Sequence, residues 1–121
     1  MYFAAKDQYI ERAEDVHINI ATASTDYTVY TSPSGNDFNF SVIISFLVCE
    51  HQGQQTQIDV TNTHGGTTYN LFSNKVITAN STSDLLVNPL IIHQGEIIKV
   101  QASHAGNLDI HMSVIEYAKG D

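Results

Sequence analysis

Tryptophan is absent from this 121-residue chain, and cysteine occurs once. Five basic residues stand against thirteen acidic ones, a formal charge of −8. Charged residues of both signs make up only 15%, against roughly 25% in ordinary soluble domains. Each shortage removes a class of function. Lys6, Arg12, Lys75, Lys99 and Lys119 are scattered and form no patch that neutralises a run of phosphates, so nucleic acid is not an expected partner. The acidic balance argues equally against an anionic membrane, and no apolar run approaches the length of a span. Cys49 alone makes no intrachain disulfide and no cysteine-based metal site. Without tryptophan, a sugar-stacking platform would have to rest on Tyr27, Tyr30, Tyr69 and Tyr117, which places a carbohydrate-binding module well behind other readings.

What is present is a near-normal apolar content, 42%, and abundant Asn, Gln, Ser and Thr. This length fits one domain able to bury a single real core, and the polar surface must be built from neutral side chains, as in β-rich chains. Residues 38–50 alternate apolar and polar with a period of two: Phe38, Phe40, Val42, Ile44, Phe46 and Val48 form one row, expected to face the core. Further strands are expected at 16–21, 27–31, 75–79 and 84–87, punctuated by Gly, Asn and Ser clusters. A three-residue turn at His104-Ala105-Gly106 would place Ala102, Val100 and Ile98 opposite Leu108, Ile110 and Met112, with all six on one face. A turn centred on His64-Gly65 would place Val60 opposite Tyr69 and Ile58 opposite Leu71. Eight or nine short strands without an internal helix predict an all-β antiparallel sandwich or jelly roll over residues 16–121. Residues 1–15 read as an N-terminal arm or short helix, too short to be stable unless packed on something.

Chemistry-bearing patterns are sparse. His17, His51, His64, His93, His104 and His111 show no spacing that brings three or four ligands together, and the 98–102/108–112 hairpin would set His111 beside Lys99. No metal ligand, catalytic residue or cofactor is therefore expected. Asp109 and Glu116 differ by an odd number and face opposite sides, no G-x-S-x-G elbow is present, and Cys49 lacks the context of an activated thiol. Asn39-Phe40-Ser41 and Asn80-Ser81-Thr82 match the glycosylation sequon, but the opening residues do not read as a signal peptide, and synthesis in the cytosol is expected.

The positive signal is apolar residues on the solvent side of strands. Ile43, Leu47, Ile97 and Ile115 fall opposite their core rows, and a contiguous set of branched aliphatics marks a covered surface. Two covers are consistent with this: the N-terminal segment through Phe3, Tyr9 and Ile10, or other protein. These seven residues are the candidate interface.

Residues 78–117 resemble small β-sandwich structural proteins of tailed bacteriophages. The likeness lies in Thr78-Ala79-Asn80-Ser81-Thr82 leading to Leu85-Leu86, in Gly95-Glu96-Ile97-Ile98 entering the penultimate strand, and in a last strand from Leu108 to Glu116 that carries Ser113 and Glu116. Glu96 stands where Asp is commoner. The resemblance implies a non-enzymatic virion component, foremost a capsid cement or decoration protein and alternatively a neck or tail component. Its partners would be the major capsid protein or other virion proteins, and it would form a homo-oligomer, with a trimer as the habit of such proteins. It transfers no individual functional residues. A cupin-like metalloenzyme shares the fold class but lacks its histidine pattern.

Overall fold

The computed structural model describes residues 9–34, 38–104 and 108–119. They form nine strands and, among the described residues, no helix: β1 (Tyr9–Ile20), β2 (Tyr27–Thr31), β3 (Phe38–Glu50), β4 (Thr56–His64), β5 (Thr67–Ile77), β6 (Thr82–Asp84), β7 (Leu90–His93), β8 (Ile97–Ala102) and β9 (Leu108–Lys119). One sheet runs β1-β9-β3, with β7 and β6 end to end along the far edge of β3, and the other runs β2-β8-β4-β5. If β6 and β7 are counted as one position, the sheets read 1-8-3-6 and 2-7-4-5. This is the double-sheet jelly roll, in which all but one of the sequence-adjacent strand pairs are split between the sheets.

That topology corrects the expected hairpin of residues 98–102 with 108–112. β8 pairs with β2 and β4, whereas β9 pairs with β1 and β3; the intervening 105–107 lie outside the described residues. Ile98, Val100, Ala102, Leu108, Ile110 and Met112 are all buried as expected, but they meet across the core from opposite sheets. Inward alternation is the same for strands that are neighbours and strands that face each other, so the pattern could not tell them apart.

The β4–β5 hairpin forms, with its turn one residue later than expected. Gly65 and Gly66 occupy the turn with φ of 58° and 83°, the left-handed pair that a two-residue hairpin of type I′ requires. His64 therefore pairs with Thr67, and bulges farther along bring Val60 opposite Phe72 and Ile58 opposite Lys75.

In β3, Val42 and Ile43 pair with Ile115 and Val114, and the next partner of β9 is Ser45, so Ile44 has no partner in β9. This bulge reverses the phase of the strand. Ser41 and Ile43 point inward before it, and Phe46, Val48 and Glu50 after it, all at most 2% exposed. The uniform core row expected from Phe40 to Val48 is thus broken: Phe40 and Val42 belong to the outer face, and Ile44 is 46% exposed. Ile43, expected outside, is in the core because the extra residue moved it there. Residues 9–15 extend β1 along the whole length of β9, from Tyr9↔Lys119 to Ile20↔Leu108, and are strand, not arm or helix. Residues 1–8 lie outside the described residues.

Three buried carboxylates fasten the ends of the sandwich. Glu116 accepts hydrogen bonds from Arg12 Nε (2.9 Å) and the Tyr30 hydroxyl (2.6 Å), and that hydroxyl also meets Ser41 Oγ at 2.7 Å. One network so joins β1, β2, β3 and β9. Burial, reinforced by the hydrogen bond to Glu116, pushes the Tyr30 phenol far above its ordinary value, so it stays protonated and donates. Glu50 accepts from the backbone N–H groups of Asn80 (2.8 Å), Gln52 and Gly53 (both 3.0 Å), and these hold its carboxyl below the ordinary range. Glu96 accepts from His93 N at 2.8 Å and is paired with His64.

Candidate functional site: the outer face of the β1-β9-β3-β7 sheet

The two outward faces of the sandwich differ in chemistry. On the β2-β8-β4-β5 sheet, outward residues include Thr28, Thr31, Lys99, Gln101, Asp59, Thr61 and Thr63, as the pairing of β8 with β2 and β4 places them. The aliphatics among them are Ile97, half-buried between Thr31 and Thr63, and Val76, 45% exposed opposite Gln57 at the β5 edge. Ile97 faces outward as expected, yet on the opposite side of the molecule from Ile115, so the two do not belong to one patch. Ser113, which the expected hairpin of residues 98–102 with 108–112 would have set opposite Ile97, is likewise in the other sheet.

The other face carries the aliphatic set. Across the strands, Ile91, Val42, Ile115 and Ala13 form one outward row, and His93, Phe40, Tyr117 and Glu11 form the next. Phe40 and Tyr117 stack with ring centroids 4.8 Å apart, a geometry that fixes both rings on the surface. The bulge adds Ile44, 46% exposed, and Ile91 is 58% exposed. A patch of three isoleucines, one valine and two stacked aromatics is larger than isolated exposed residues account for. No described residue of the chain lies over it: β1 runs beside β9 as an edge strand.

Of the seven candidate residues, Ile115 sits at the centre of this patch and Leu47 farther along the same face. Ile43 is in the core and Ile97 on the polar sheet. Ile10 is 56% exposed at the end of β1, opposite Ala118, with the inward phase of its strand. Phe3 lies outside the described residues, as does the side chain of Tyr9. The residues missed in sequence, Phe40, Val42, Ile44 and Ile91, had a visible signal. Consecutive aliphatics at 42–44 and 90–92 leave no solvent-facing polar position, which is the mark of a strand apolar on both faces.

Beyond Ser45 and Ser113 the face changes character. Leu47, His111 and His17 form one row, and Cys49, Asp109 and Asn19 the next. A groove of about 560 Å3 opens here, lined by these six residues with Ile18, Thr82 and Ile110. His17 and His111 are direct cross-strand partners with ring centroids 3.8 Å apart and planes tilted by 57°. Lys99, the expected neighbour of His111, is in the other sheet. Asp109 takes a hydrogen bond from Asn19 Nδ2 at 2.8 Å and meets His51 Nε2 at 3.2 Å. The Arg12–Glu116–Tyr30 network offers no comparable site, because Glu116 and Ser41 are sealed between the sheets at 4% and 0% exposure.

Comparison with protein-family models and with curated proteins returns no match. Among solved structures the fold is shared. A chain from the work "Bacillus endospore appendages form a novel family of disulfide-linked pili" aligns with a TM-score of 0.56 over 100% of this chain and 98% of that one, at 12% identity. At that identity the likeness is one of fold. Weaker likenesses link the chain to infectious bursal disease virus, Gx strain (TM-score 0.49, 12% identity, 96% of this chain and 39% of that one). Murine APRIL aligns at a TM-score of 0.44 and 14% identity, over 84% of this chain and 98% of that one. No phage protein is among these three.

Proposed function

We propose that the chain is a non-enzymatic structural subunit that joins a larger protein assembly through the outer face of the β1-β9-β3-β7 sheet. The observation that carries this reading is the asymmetry between the two faces: Thr, Gln, Lys and Asp with the separated Ile97 and Val76 on one, the contiguous Ile91, Val42, Ile44 and Ile115 with stacked Phe40 and Tyr117 on the other. A stable contact needs about 800 Å2 per partner, roughly a tenth of this chain's 7010 Å2, and one face of a four-strand sheet supplies such an area. Apolar burial of about 25 cal/mol per Å2 drives association, reduced by the freedom each subunit loses.

The assembly proposed is a phage virion, with the chain as a homo-oligomeric cement protein on the shell; a neck or tail position is the alternative. Support comes from the phage-like character of residues 78–117 and from a rigid fold that can bridge neighbouring subunits by shape. The pilus subunit of like fold raises a second reading, a self-assembling fibre. Cys49 bears on it: a subunit linked by disulfides to both neighbours needs two cysteines, and this sequence has one. A fibre of this chain would therefore need non-covalent contacts at one or both of each subunit's junctions. The test is co-sedimentation with purified particles of the phage concerned. Wild type and Ile97→Asp should bind, and Ile115→Asp should not; particles that bind none of the three, or Ile115→Asp as well as wild type, overturn the reading.

A further inference from the structure

The polar half of the outer face holds a second arrangement that the apolar patch does not explain. His17 and His111 stand directly opposite one another on adjacent antiparallel strands, where opposed Cβ atoms are about 4.5–5.5 Å apart. Both side chains are exposed, and their rings are already in contact at 3.8 Å. Two imidazoles carried at that separation can turn their nitrogens to a shared point, each about 2.0–2.1 Å from it. The surroundings favour a cation. Asp15 flanks His17 along β1 and Asp109 flanks His111 along β9, both exposed. Leu47 and Ser113 are the other neighbours, His51 is held against Asp109, and the groove beside the pair is lined by Cys49, Asn19 and Thr82. None of these carries a fixed positive charge.

We propose that His17 and His111 form a cross-strand chelate for a divalent transition-metal ion of the nickel, copper or zinc type. Neutral imidazole suits these ions, whereas calcium and magnesium prefer oxygen ligands. Among the described residues no three His, Cys, Asp or Glu groups converge as a metal cluster, so the chelate is bidentate, with the remaining positions open to water in the groove. Because β1 and β9 carry one ligand each, the ion would also tie the edge strand to its neighbour and raise the thermal midpoint by mass action.

Isothermal titration of the full chain with Ni2+ and Zn2+ near neutral pH tests this, with histidine ring NMR reporting which imidazoles respond. One ion per chain is expected, with the His17 and His111 resonances shifting or broadening first. Either His17→Ala or His111→Ala should weaken binding by about tenfold or more, at least the loss typical of a supporting second-shell residue. His64→Ala and His104→Ala should leave it unchanged, and binding should fade on acidification as protons compete for the imidazoles. Both ligands are surface residues, and circular dichroism of each variant verifies that the fold is retained. Absence of binding, one ion per two chains, or binding indifferent to both ligand substitutions overturns the proposal.

Discussion

Ile43 and Ile44 are adjacent, chemically identical, and placed by the bulge in opposite environments. Ile43 is fully buried between Val114 and Leu90, whereas Ile44 is 46% exposed and has no partner in β9. Ile43→Ala removes three buried methylene equivalents and leaves a cavity between two sheets that cannot close on it, a loss of about 2–5 kcal/mol. Ile44→Ala removes surface contacts and should stay within about 0.5 kcal/mol. Unfolding entropy of about 2.1 cal/mol/K per residue implies about 250 cal/mol/K for this chain, so a loss of 3 kcal/mol lowers the midpoint by about 12 °C. Urea and thermal unfolding followed by circular dichroism in dilute solution, where association does not contribute, measure both variants. If Ile44→Ala is as costly as Ile43→Ala, the bulge and the phase reversal derived from it are wrong.

Other perturbations read other parts of the structure. Tyr30→Phe deletes the hydroxyl that serves Glu116 and Ser41, leaving buried polar atoms short of a partner, and should cost about 1–3 kcal/mol in denaturant unfolding. Glu50, held below the ordinary carboxyl value chiefly by the Asn80 N–H, contributes stability that is present above the unfolded-state value, about 4.3, and is lost as pH falls through the lower folded-state value. Stability should therefore decline on acidification through and below that range, and Glu50→Gln should flatten this part of the profile; an unchanged acid limb would remove the assigned role. Gly66→Val forces a β-branched residue to a φ of 83° and should destabilise the β4–β5 hairpin by about 1 kcal/mol or more, measurable in the same unfolding experiment.

The fold class was legible because alternation of period two survives in β8, in β9 and in β3 on either side of its bulge, and because Gly65-Gly66 marks its hairpin directly. Strand partnership was not. The residues of β8 and β9 alternate in the same phase whether the strands lie side by side or face each other, and what settles it is that β9 is flanked by β1 and β3 while β8 is flanked by β2 and β4. The same long-range pairing brings His17 to His111, residues that no local pattern connects. Ile43 was misplaced for a different reason: a single unpaired residue shifts everything beyond it by one, and the only local trace of a bulge is an aliphatic where a polar residue should stand. Buried Glu50 and Glu116 were likewise hidden, since their partners are backbone N–H groups and side chains of remote strands. The outward aliphatic surface was legible in kind, through Ile115 and Leu47, while its extent through Ile91, Ile44 and Val42 needed the strand order.

Sedimentation equilibrium across a concentration series, comparing wild type with Val42→Asp and Ile115→Asp, tests the exposed apolar face most directly. The wild-type chain should associate into a discrete oligomer, and each aspartate variant should remain monomeric while circular dichroism shows that its fold is retained. A wild type that stays monomeric throughout, or aspartate variants that assemble as it does, would contradict a face built for contact with another polypeptide.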